Sequence, residues 1–324
     1  MSPGATFDDV REAAARIAPF VPPTPVLRSA AIDAWTGTRV HLKAEHLNAT
    51  GAFKLRGATN AVLQLSDQEA ARGVVAHSSG NHASALARAA SMRGIACTIV
   101  IPRGAPATKV AATKAEGGRV VECEPTMEAR AETVAKLVAD TGAVEIHPFD
   151  DPRVQAGQGT AALELLDAAP GIGLIVAPVS GGGLLSGTAI AAHGIHPAMP
   201  VWGAEPVAVD DAYRSLAAGR LVLDGAGATI ADGLVAQLSE TTLGILQAHD
   251  VQVVTVSEDE IVEGMRRLAT GAKQVVEPSG AVSLAGLARL GQDGLDLPGD
   301  VGVIISGGNV DLDRWSELVA VPDF

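Results

Sequence analysis

The sequence predicts an α/β fold with mostly parallel sheets, divided into two lobes. Short runs rich in Val and Ile alternate with Ala-rich stretches of helical periodicity, and several strand–loop–helix turns recur along the chain. This alternation is typical of parallel strands whose connecting helices cover the sheet faces. The chain has 324 residues, of which 47% are hydrophobic and only 3% aromatic. It is therefore long enough for two lobes with cores built from Ala, Val, Leu and Ile.

Seven segments are predicted to be strands, because each is a short β-branched run bounded by turn residues. In chain order they are GVVAHSS from Gly73, ACTIVIP from Ala96, GRVVEC from Gly118, GLIVAPV from Gly173, PVWGAE from Pro200, DVQVVTV from Asp250 and VGVIIS from Val301. Predicted helices include NHASALARAASMRG, TMEARAETVAKLVADTG and SEDEIVEGMRRLATGA. Two capping boxes, Ser66 with Glu69 and Ser257 with Glu260, predict where two helices begin.

The predicted strands fall into two groups along the chain. Residues 69–145 are expected to form a small lobe inserted into a large lobe that residues 1–68 and 146–324 build together. A cleft between two lobes is a favoured place for a ligand.

Composition excludes several classes of partner. The formal net charge of −13 argues against nucleic acid and anionic membranes as partners. Cys97 and Cys123 are too few for a disulfide framework or a zinc quartet, which favours a cytoplasmic location. The uncharged stretch Gly171–Ala192 is long enough to span a bilayer, but its Pro178 and successive glycines predict a strand, a loop and a helix instead.

The segment APVSGGGLLSG, from Ala177 to Gly187, predicts a phosphate site. Backbone N–H groups without side chains can close on a phosphate, and the N-terminus of the following helix favours its negative charge. A nicotinamide dinucleotide is one alternative, because the loop approximates G-x-G-x-x-G and Glu205 follows about twenty residues later. A plain tight turn is the other alternative.

Two more turns place polar residues where strands end. AHSSGNHASALA carries a polar cluster that suits a carboxylate, although one of its residues as a simple helix cap is an alternative. The cluster consists of Ser78, Ser79, Asn81 and His82. IISGGNVDL ends its strand at Ser306, whose hydroxyl can face a ligand, and a turn with glycines at special backbone angles is the alternative.

Lys54 lies between Phe53 and Leu55 in TGAFKLRGATN. A free lysine has a pKa of about 10.4, and burial favours the neutral amine that attacks a carbonyl. In isolation a packed or salt-bridged lysine is the alternative. A reactive lysine, a phosphate loop and a carboxylate site together describe pyridoxal phosphate held as a Schiff base beside an amino-acid substrate.

These motifs resemble the serine/threonine dehydratase and serine racemase family, which are pyridoxal-phosphate enzymes of fold type II. The matches are TGAFKLRGA, HSSGNHASALA, AGQGTAALE, SGGGLLSG, GAEP, TIADGL, VEPSGA and SGGNVD, in the family's order from Thr24 to Asp311. The resemblance implies a two-lobed, three-layer α/β/α fold like that of the tryptophan synthase β chain.

The resemblance also implies residue roles. Lys54 would be the Schiff-base lysine and would remove the Cα proton, while Ser79 would deliver a proton to the opposite face in a racemase. Phe53 would pack on the cofactor ring, Asn81 would bond its phenolic oxygen and Ser306 its pyridine nitrogen. The phosphate would bind the N–H groups of Gly181, Gly182, Gly183 and Leu184. The substrate carboxylate would bind Ser78, Ser79, Asn81 and His82.

A divalent cation is implied by the racemase-like branch. Glu205, the carbonyl of Val209 and Asp211 are oxygen ligands that suit Mg²⁺, Mn²⁺ or Ca²⁺. An acid-rich surface turn is the alternative reading. The chain also departs from the family pattern at Ser180, where many relatives have a fourth glycine, and at Ala236, where some racemase-like members have serine.

The leading prediction is an ammonia-lyase that removes the β-hydroxyl of L-threonine or L-serine and yields a 2-oxo acid and ammonia. A serine racemase is one alternative. A 3-hydroxyaspartate ammonia-lyase is another, in which Arg130 receives the second carboxylate; a solvated helix arginine is the alternative for this residue. A nicotinamide-dependent oxidoreductase and a non-catalytic amino-acid-binding protein are distant alternatives. The resemblance implies a homo-oligomer of two or four chains.

Overall fold

The computed structural model describes residues 4–78, 80–224 and 227–320, without the side chain of Met127. The strands are β1 (Val26–Leu27), β2 (Arg39–Ala44), β3 (Val74–His77), β4 (Cys97–Pro102), β5 (Arg119–Cys123), β6 (Val144–Glu145), β7 (Leu174–Pro178), β8 (Val201–Pro206), β9 (Gln252–Val256) and β10 (Asp300–Ile305). The helices are α1 (Phe7–Ile17), α2 (Ala30–Thr36), α3 (Lys54–Leu63), α4 (Asp67–Arg72), α5 (Asn81–Arg93), α6 (Ala107–Ala115), α7 (Met127–Thr141), α8 (Pro152–Ala168), α9 (Gly183–Ile195), α10 (Asp211–Ala218), α11 (Glu240–Ala248), α12 (Glu258–Arg267), α13 (Pro278–Gln292) and α14 (Leu312–Val319). Short 3₁₀ turns cover Glu45–Leu47, Val207–Val209 and Asp232–Leu234, and a π-helical turn covers Leu268–Ala272.

The strands form two sheets. One has six strands in the order β1-β2-β10-β7-β8-β9, and the other has four in the order β5-β4-β3-β6. β1 is antiparallel to β2, and the other neighbouring pairs in both sheets are parallel. All seven predicted strands are present, as β3, β4, β5, β7, β8, β9 and β10.

β2 escaped prediction from the sequence. Its segment RVHLKA lies between β1 and β10 in the large sheet, with Lys43 fully buried. The segment alternates polar and apolar residues, which is the pattern of a strand, and Lys43 occupies one of its polar positions although the sheet buries it. Lys43 is tolerated there because its amine donates to Glu164 and to the carbonyl of Thr24.

Both predicted capping boxes start their helices. The Ser66 hydroxyl accepts the N–H of Glu69, the Glu69 carboxylate accepts the N–H of Ser66, and Ser257 and Glu260 do the same. The predicted helix that starts at Ser257 is shorter than expected in its α-helical part. It changes to the π-helical turn after Arg267, and Lys273 at φ 61° ends it.

The cores of the two sheets are joined through shared helices. One buried cluster includes Ile17 from α1, Leu55 from α3, Leu86 from α5 and Ile99 from β4. The strands of the four-stranded sheet all lie within residues 69–145, the stretch assigned to the inserted lobe, and those lobe boundaries remain a prediction. A second large cluster packs α12 and α13 against the six-stranded sheet.

None of the helices in the described part of the chain has the length and apolar character needed to cross a bilayer. The uncharged stretch Gly171–Ala192 folds as β7, the glycine loop and most of α9, as its composition predicts.

Three loops that follow parallel strands carry the predicted site. They leave β3 at His77, β7 at Pro178 and β10 at Ile305. In α/β proteins ligands bind beyond the carboxyl ends of such strands.

Candidate active site

Lys54 is the first residue of α3, so its position is fixed by the start of that helix. Its Nζ donates to the carbonyl of Pro148 at 2.9 Å and lies 5.0 Å from the centroid of the Phe53 ring. The side chain keeps some accessible surface, yet protein atoms surround the amine closely. Desolvation by burial lowers the pKa of Lys54 to about 8. A fraction of the amine is therefore neutral near neutral pH and can attack a carbonyl.

The segment before Lys54 is held against the loop that follows β10. The N–H of Phe53 donates to the carbonyl of Ser306 at 3.0 Å, and the N–H of Gly308 donates to the carbonyl of Gly51 at 2.9 Å. Ala52 and Gly307 form an isolated antiparallel bridge. Two of the predicted motifs, TGAFK and SGGN, are thus joined by backbone hydrogen bonds that place Lys54 beside the end of β10.

The glycine loop connects β7 to α9 as predicted. Gly182 has φ 88°, a left-handed conformation that glycine adopts readily, and it forms the N-cap of α9. The N–H groups in the first turn of a helix have no partner within the helix, and the helix dipole adds positive potential there. Gly183 and Leu184 lie in this first turn. The loop is therefore suited to a phosphate, and the cofactor role of Gly181, Gly182, Gly183 and Leu184 stays a prediction.

Phe149 links the glycine loop to Lys54. A Cβ atom at Gly183 would lie 2.8 Å from the Cβ of Phe149, and a Cβ at Gly181 would overlap the Phe149 ring. Phe149 follows Pro148, whose carbonyl accepts a hydrogen bond from the Lys54 amine. Lys54 contacts this short segment, and the segment contacts the glycine loop, so the amine and the glycine loop are neighbours.

Ser180 ties the glycine loop to a second loop. Its hydroxyl accepts the N–H of Ala236 and donates to the carbonyl of the same residue, both at 3.0 Å. Ser180 thus holds the loop that contains Ala236 against the glycine loop.

Ser306 directly follows β10 and is buried, with 3% of its surface exposed. Its hydroxyl donates to the carbonyl of Ser279 at 3.3 Å, a long hydrogen bond that leaves the oxygen able to accept or exchange a partner. Its predicted role at a pyridine nitrogen is chemically feasible and stays a prediction.

Asn81 lies between two side chains that are distant in the sequence, Glu277 and Asn309. Its Nδ2 donates to Glu277 Oε1 at 2.8 Å, and its Oδ1 accepts from Asn309 Nδ2 at 2.9 Å. Burial raises the pKa of Glu277 to about 8, although the hydrogen bond from Asn81 opposes this rise. The predicted bond from Asn81 to a phenolic oxygen is compatible with this position because Nδ2 carries a second hydrogen.

His82 is buried and neutral. Its Nε2 lies 3.0 Å from the carbonyl of Ile146, and desolvation lowers its pKa to about 3. In the described structure its Nδ1 has no hydrogen-bond partner. Because Nε2 faces an acceptor, it carries the proton and Nδ1 is an acceptor, so the side chain supplies no charge to a carboxylate. The Ser78 hydroxyl accepts the N–H of Gly80 at 3.3 Å, whereas Ser79 lies outside the described residues.

Arg130 lies on α7 near the end of β3. Burial lowers the pKa of His77, and the positive charge of Arg130 lowers it further. His77 stacks edge-on against His147, whose Nδ1 accepts the N–H of Asp150 at 2.9 Å. Arg130 is thus close to the strand end that leads into the predicted carboxylate loop.

The predicted cation ligands are close to each other but are also bonded to the backbone. Glu205 is 1% exposed and accepts the N–H groups of Tyr213 at 2.7 Å and Ala212 at 3.4 Å. Asp211 is 5% exposed and accepts the N–H of Leu238 at 3.0 Å. Burial raises the pKa of Glu205 to about 8, and the negative charge of Asp211 adds to the rise. Within residues 4–78, 80–224 and 227–320, no group of three or more His, Cys, Asp or Glu side chains is arranged to hold a metal ion.

Sequence reasoning missed three contributors to the site. Glu277 lies in the quoted motif VEPSGA, and Asn309 lies in SGGNVD, but neither was given a role. Phe149 was not considered at all. The glycines that Phe149 contacts lack side chains because the phenylalanine occupies that space. The sequence shows these glycines but does not show which residue lies against them.

Comparisons with known proteins identify the family of this chain. Residues 17–307 match the family described as pyridoxal-phosphate dependent enzyme. The chain is 45% identical over 309 residues to the β-hydroxyaspartate dehydratase of Paracoccus denitrificans. This alignment covers 95% of this chain and 98% of that relative. It is 46% identical over 308 residues to the serine racemase of Arabidopsis thaliana, covering 94% of this chain and 92% of the relative. The structure of maize serine racemase superposes with a TM-score of 0.94 at 42% identity, covering 97% of this chain and 96% of that one.

These comparisons confirm the family resemblance, the α/β fold with mostly parallel sheets and pyridoxal phosphate as the family's cofactor. The residues present fit that cofactor, because an enclosed amine, a helix N-terminus with a glycine loop and a strand-end hydroxyl converge. The relatives fit the racemase and hydroxyaspartate alternatives better than the leading prediction of threonine or serine elimination. The chain belongs to the pyridoxal-phosphate dependent enzymes of fold type II.

Proposed function

We propose that this protein is a 3-hydroxyaspartate ammonia-lyase, which eliminates the β-hydroxyl group and yields a 2-oxo dicarboxylic acid and ammonia. The observation that supports this substrate is the place of Arg130 on α7, which packs against β3, the strand that ends at His77. The loop that begins at Ser78 is our proposed site for the α-carboxylate. A dicarboxylic substrate would meet the loop with one carboxylate and the guanidinium of Arg130 with the other. The similarity to a β-hydroxyaspartate dehydratase supports the same substrate.

Each residue of the proposed site has a separate role in the elimination. Bound pyridoxal phosphate withdraws electrons from the Cα atom of the substrate and makes its proton acidic. Lys54 would hold the cofactor, and its amine, when free, would accept the Cα proton of the substrate. The N-terminal turn of α9 holds the phosphate. Ser306 presents a hydroxyl, which does not keep the ring nitrogen protonated, and this favours prompt loss of the β-hydroxyl group.

The cofactor assignment is tested by reduction with borohydride after pyridoxal phosphate is added, followed by peptide mapping. The label is expected on Lys54, and Lys54→Ala is expected to lose both the label and turnover. Full product formation by Lys54→Ala would refute the assignment.

The substrate is tested by comparing kcat/KM for 3-hydroxyaspartate, L-serine and L-threonine in the Arg130→Met variant. A charge-assisted hydrogen bond contributes about 1.5–3 kcal/mol, so kcat/KM for 3-hydroxyaspartate is expected to fall about 10- to 100-fold. The values for serine and threonine, which have one carboxylate, should change little. Lys136→Met removes an exposed charge from the same helix and serves as the matched control. An equal loss on all three substrates would contradict the dicarboxylate role of Arg130.

A serine racemase is the second candidate, supported by the similarity to plant serine racemases. In this candidate Ser79 donates the proton on the face opposite Lys54. Chiral chromatography after incubation with L-serine measures D-serine directly, and Ser79→Ala should abolish D-serine formation. Absence of D-serine with the unsubstituted protein, alongside steady ammonia release from 3-hydroxyaspartate, would exclude the racemase candidate.

We also infer that a divalent cation binds Glu205, Asp211 and the carbonyl of Val209. The supporting observation is that two adjacent carboxylates are buried, an arrangement that a bound cation would stabilise. Mg²⁺ is expected to raise the thermal unfolding midpoint and EDTA to lower it, and Glu205→Gln should remove both responses. An identical midpoint under both conditions would contradict the site.

A further inference from the structure

The motif AGQGTAALE, Ala156–Glu164, has no role in the chemistry described above, yet it forms the centre of α8. This helix lies between α3, which begins with Lys54, and α9, which begins at the glycine loop. The motif therefore separates the two elements that carry the opposite ends of the site.

On one side, α8 contacts α3 through two glycines. A Cβ atom at Gly157 would lie 2.5 Å from the Cα of Gly57 and 2.7 Å from the carbonyl oxygen of Arg56. The N–H of Gly57 also donates to Gln158 Oε1 at 3.2 Å. The two backbones are in direct contact here, so any added side-chain atom at Gly157 must push α3 away from α8.

On the other side, α8 contacts α9 in the same way. A Cβ atom at Gly159 would lie 2.7 Å from the carbonyl oxygen of Gly187, and a Cβ at Gly187 would lie 2.6 Å from the N atom of Gly159. Gly187 is one helical turn beyond Gly183, the first residue of α9. The distance from α8 to the glycine loop is therefore set by backbone contact as well.

A buried ion network fixes the rotation and height of α3. The Arg56 guanidinium donates to Glu45 at 2.7 and 2.8 Å, to Glu164 at 2.6 and 2.7 Å and to Thr160 at 3.1 Å. Lys43 donates to Glu164 at 2.5 Å, so two cations meet two carboxylates. Arg56 is two residues after Lys54 and is fully buried. A planar guanidinium bound on two edges allows little movement of the helical turn that carries it.

We propose that α8 is a rigid spacer that sets the distance between Lys54 and the glycine loop, with Gly157, Gly159, Thr160 and Glu164 as positioning residues. The proposal rests on the proposed roles of Lys54 and the glycine loop. A cofactor that is bound covalently at one end and by its phosphate at the other needs those two ends held at a constant separation. A misplacement of about 1 Å costs about 100-fold in rate for a reaction between positioned groups.

The test uses two ligands that report on different ends of the site. Pyridoxal phosphate is added to the apo protein, and the rate at which a borohydride-reducible bond forms with Lys54 is measured. Pyridoxine 5′-phosphate has a hydroxymethyl group in place of the aldehyde, so it cannot bond to Lys54, and its affinity reports on the noncovalent contacts, the phosphate among them. Gly157→Ala should displace α3 and lower the rate of bond formation about 100-fold, while the affinity for pyridoxine 5′-phosphate changes less than about threefold. Gly187→Ala should displace α9 and should instead lower the affinity for pyridoxine 5′-phosphate.

Gly286→Ala is the matched control, because its Cβ would lie 2.5 Å from the Cβ of Ala204 in a contact of α13 with β8. It overpacks the core equally but away from α8, so both ligand measurements should stay at the unsubstituted values. Glu164→Gln is a milder second variant, since this side chain is 24% exposed, and it should slow bond formation about tenfold.

The outcomes separate the two proposals. If the unsubstituted protein gives no label on Lys54, the proposed function fails. If it is labelled normally and both Gly157→Ala and Glu164→Gln are labelled at the same rate, the spacer proposal is overturned while the proposed function stands. Equal losses for both ligands in Gly157→Ala and in Gly286→Ala would also overturn it, because they would reflect lowered stability alone.

Discussion

At the scale of single residues, burial decides the chemistry of two ionisable groups of the candidate site. Lys54 and Glu277 have opposite charges when ionised, and desolvation disfavours the ionised form of each. The pKa of the lysine falls and the pKa of the glutamic acid rises, each to about 8. Both groups therefore change protonation in the same range of pH.

The reactivity of Lys54 should follow this shift. Its neutral fraction grows as the pH rises through about 8, whereas an exposed lysine needs a pH near about 10.4. Competitive acylation of the apo protein, read by mass spectrometry across this pH range, is expected to give a midpoint near pH 8 at Lys54. Lys136, which is exposed, is the internal reference. A common midpoint for both lysines would contradict the role of burial.

Glu277 should make the apo protein less stable as the pH rises. The pKa of Glu277 is about 8 in the folded protein and about 4.3 in the unfolded chain. Below about pH 4.3 the side chain is neutral in both states, so its burial carries no charge penalty. The penalty grows as the pH rises and is complete above about pH 8. The free energy of unfolding of Glu277→Gln should therefore fall less than that of the unsubstituted protein between about pH 5 and pH 8. Each pKa unit corresponds to about 1.4 kcal/mol, so urea titrations can resolve the difference. Glu132→Gln, an exposed change, should behave like the unsubstituted protein.

At the scale of elements, helix starts place the reactive groups. α3 begins at Lys54, α5 begins at Asn81 and α9 begins at Gly183, so three helix N-termini surround the cleft. Each follows a loop that leaves the carboxyl end of a strand or is bonded to one. Some helices elsewhere in the chain start with side-chain caps that the sequence predicts, as Ser66 does for α4 and Ser257 for α12.

The cap of α12 gives a direct measure of such a helix start. Ser257→Ala removes the hydroxyl that accepts the N–H of Glu260. The free energy of unfolding is expected to fall by about 1 kcal/mol, measured by urea denaturation. Ser257→Asp keeps a capping oxygen and should recover most of the loss. Failure of the aspartate to recover it would show that the hydroxyl contributes in another way.

At the scale of the whole molecule, the four-stranded part of the chain contacts the six-stranded part across the cleft. Lys109 on α6 and Asp232 in the 3₁₀ turn Asp232–Leu234 form an ion pair at 2.6 Å, and both side chains are partly exposed. Asn81 reaches Glu277 and Asn309 nearby. These contacts hold the two parts together around the site.

The ion pair should affect substrate affinity through closure of the cleft. An exposed pair contributes about 0–1 kcal/mol, so Lys109→Glu is expected to raise KM by up to about fivefold with kcat little changed. The charge exchange Lys109→Glu with Asp232→Lys should restore KM, and added salt should reduce the difference. Arg103→Glu breaks an ion pair with Glu124 that lies within the four-stranded part and is the matched control. An equal rise of KM in the control would contradict a role for closure.

The cytoplasmic location, the lobe boundaries at residues 69 and 145 and the homo-oligomer stay predictions. They concern the surroundings of the chain and the grouping of its parts, and neither the sheet order nor the site depends on them.

The sequence by itself determined the fold class, seven strands, the capped helix starts and the motifs that surround the cofactor. These features depend on local periodicity and on turn residues, which a sequence displays directly. It predicted Lys54 as the reactive amine because a phosphate loop and a carboxylate site accompany it in the sequence, and it identified the family through the order of its motifs.

Only the tertiary structure decided which residues meet. The burial of Lys43 in β2 depends on Glu164, which is distant in the chain, and the roles of Phe149 and Glu277 are visible only in their contacts. The spacing between Lys54 and the glycine loop is set by glycines on three separate helices. The physical reason is that desolvation and backbone contact depend on atoms brought together from all parts of the chain, and sequence periodicity records only neighbours along it.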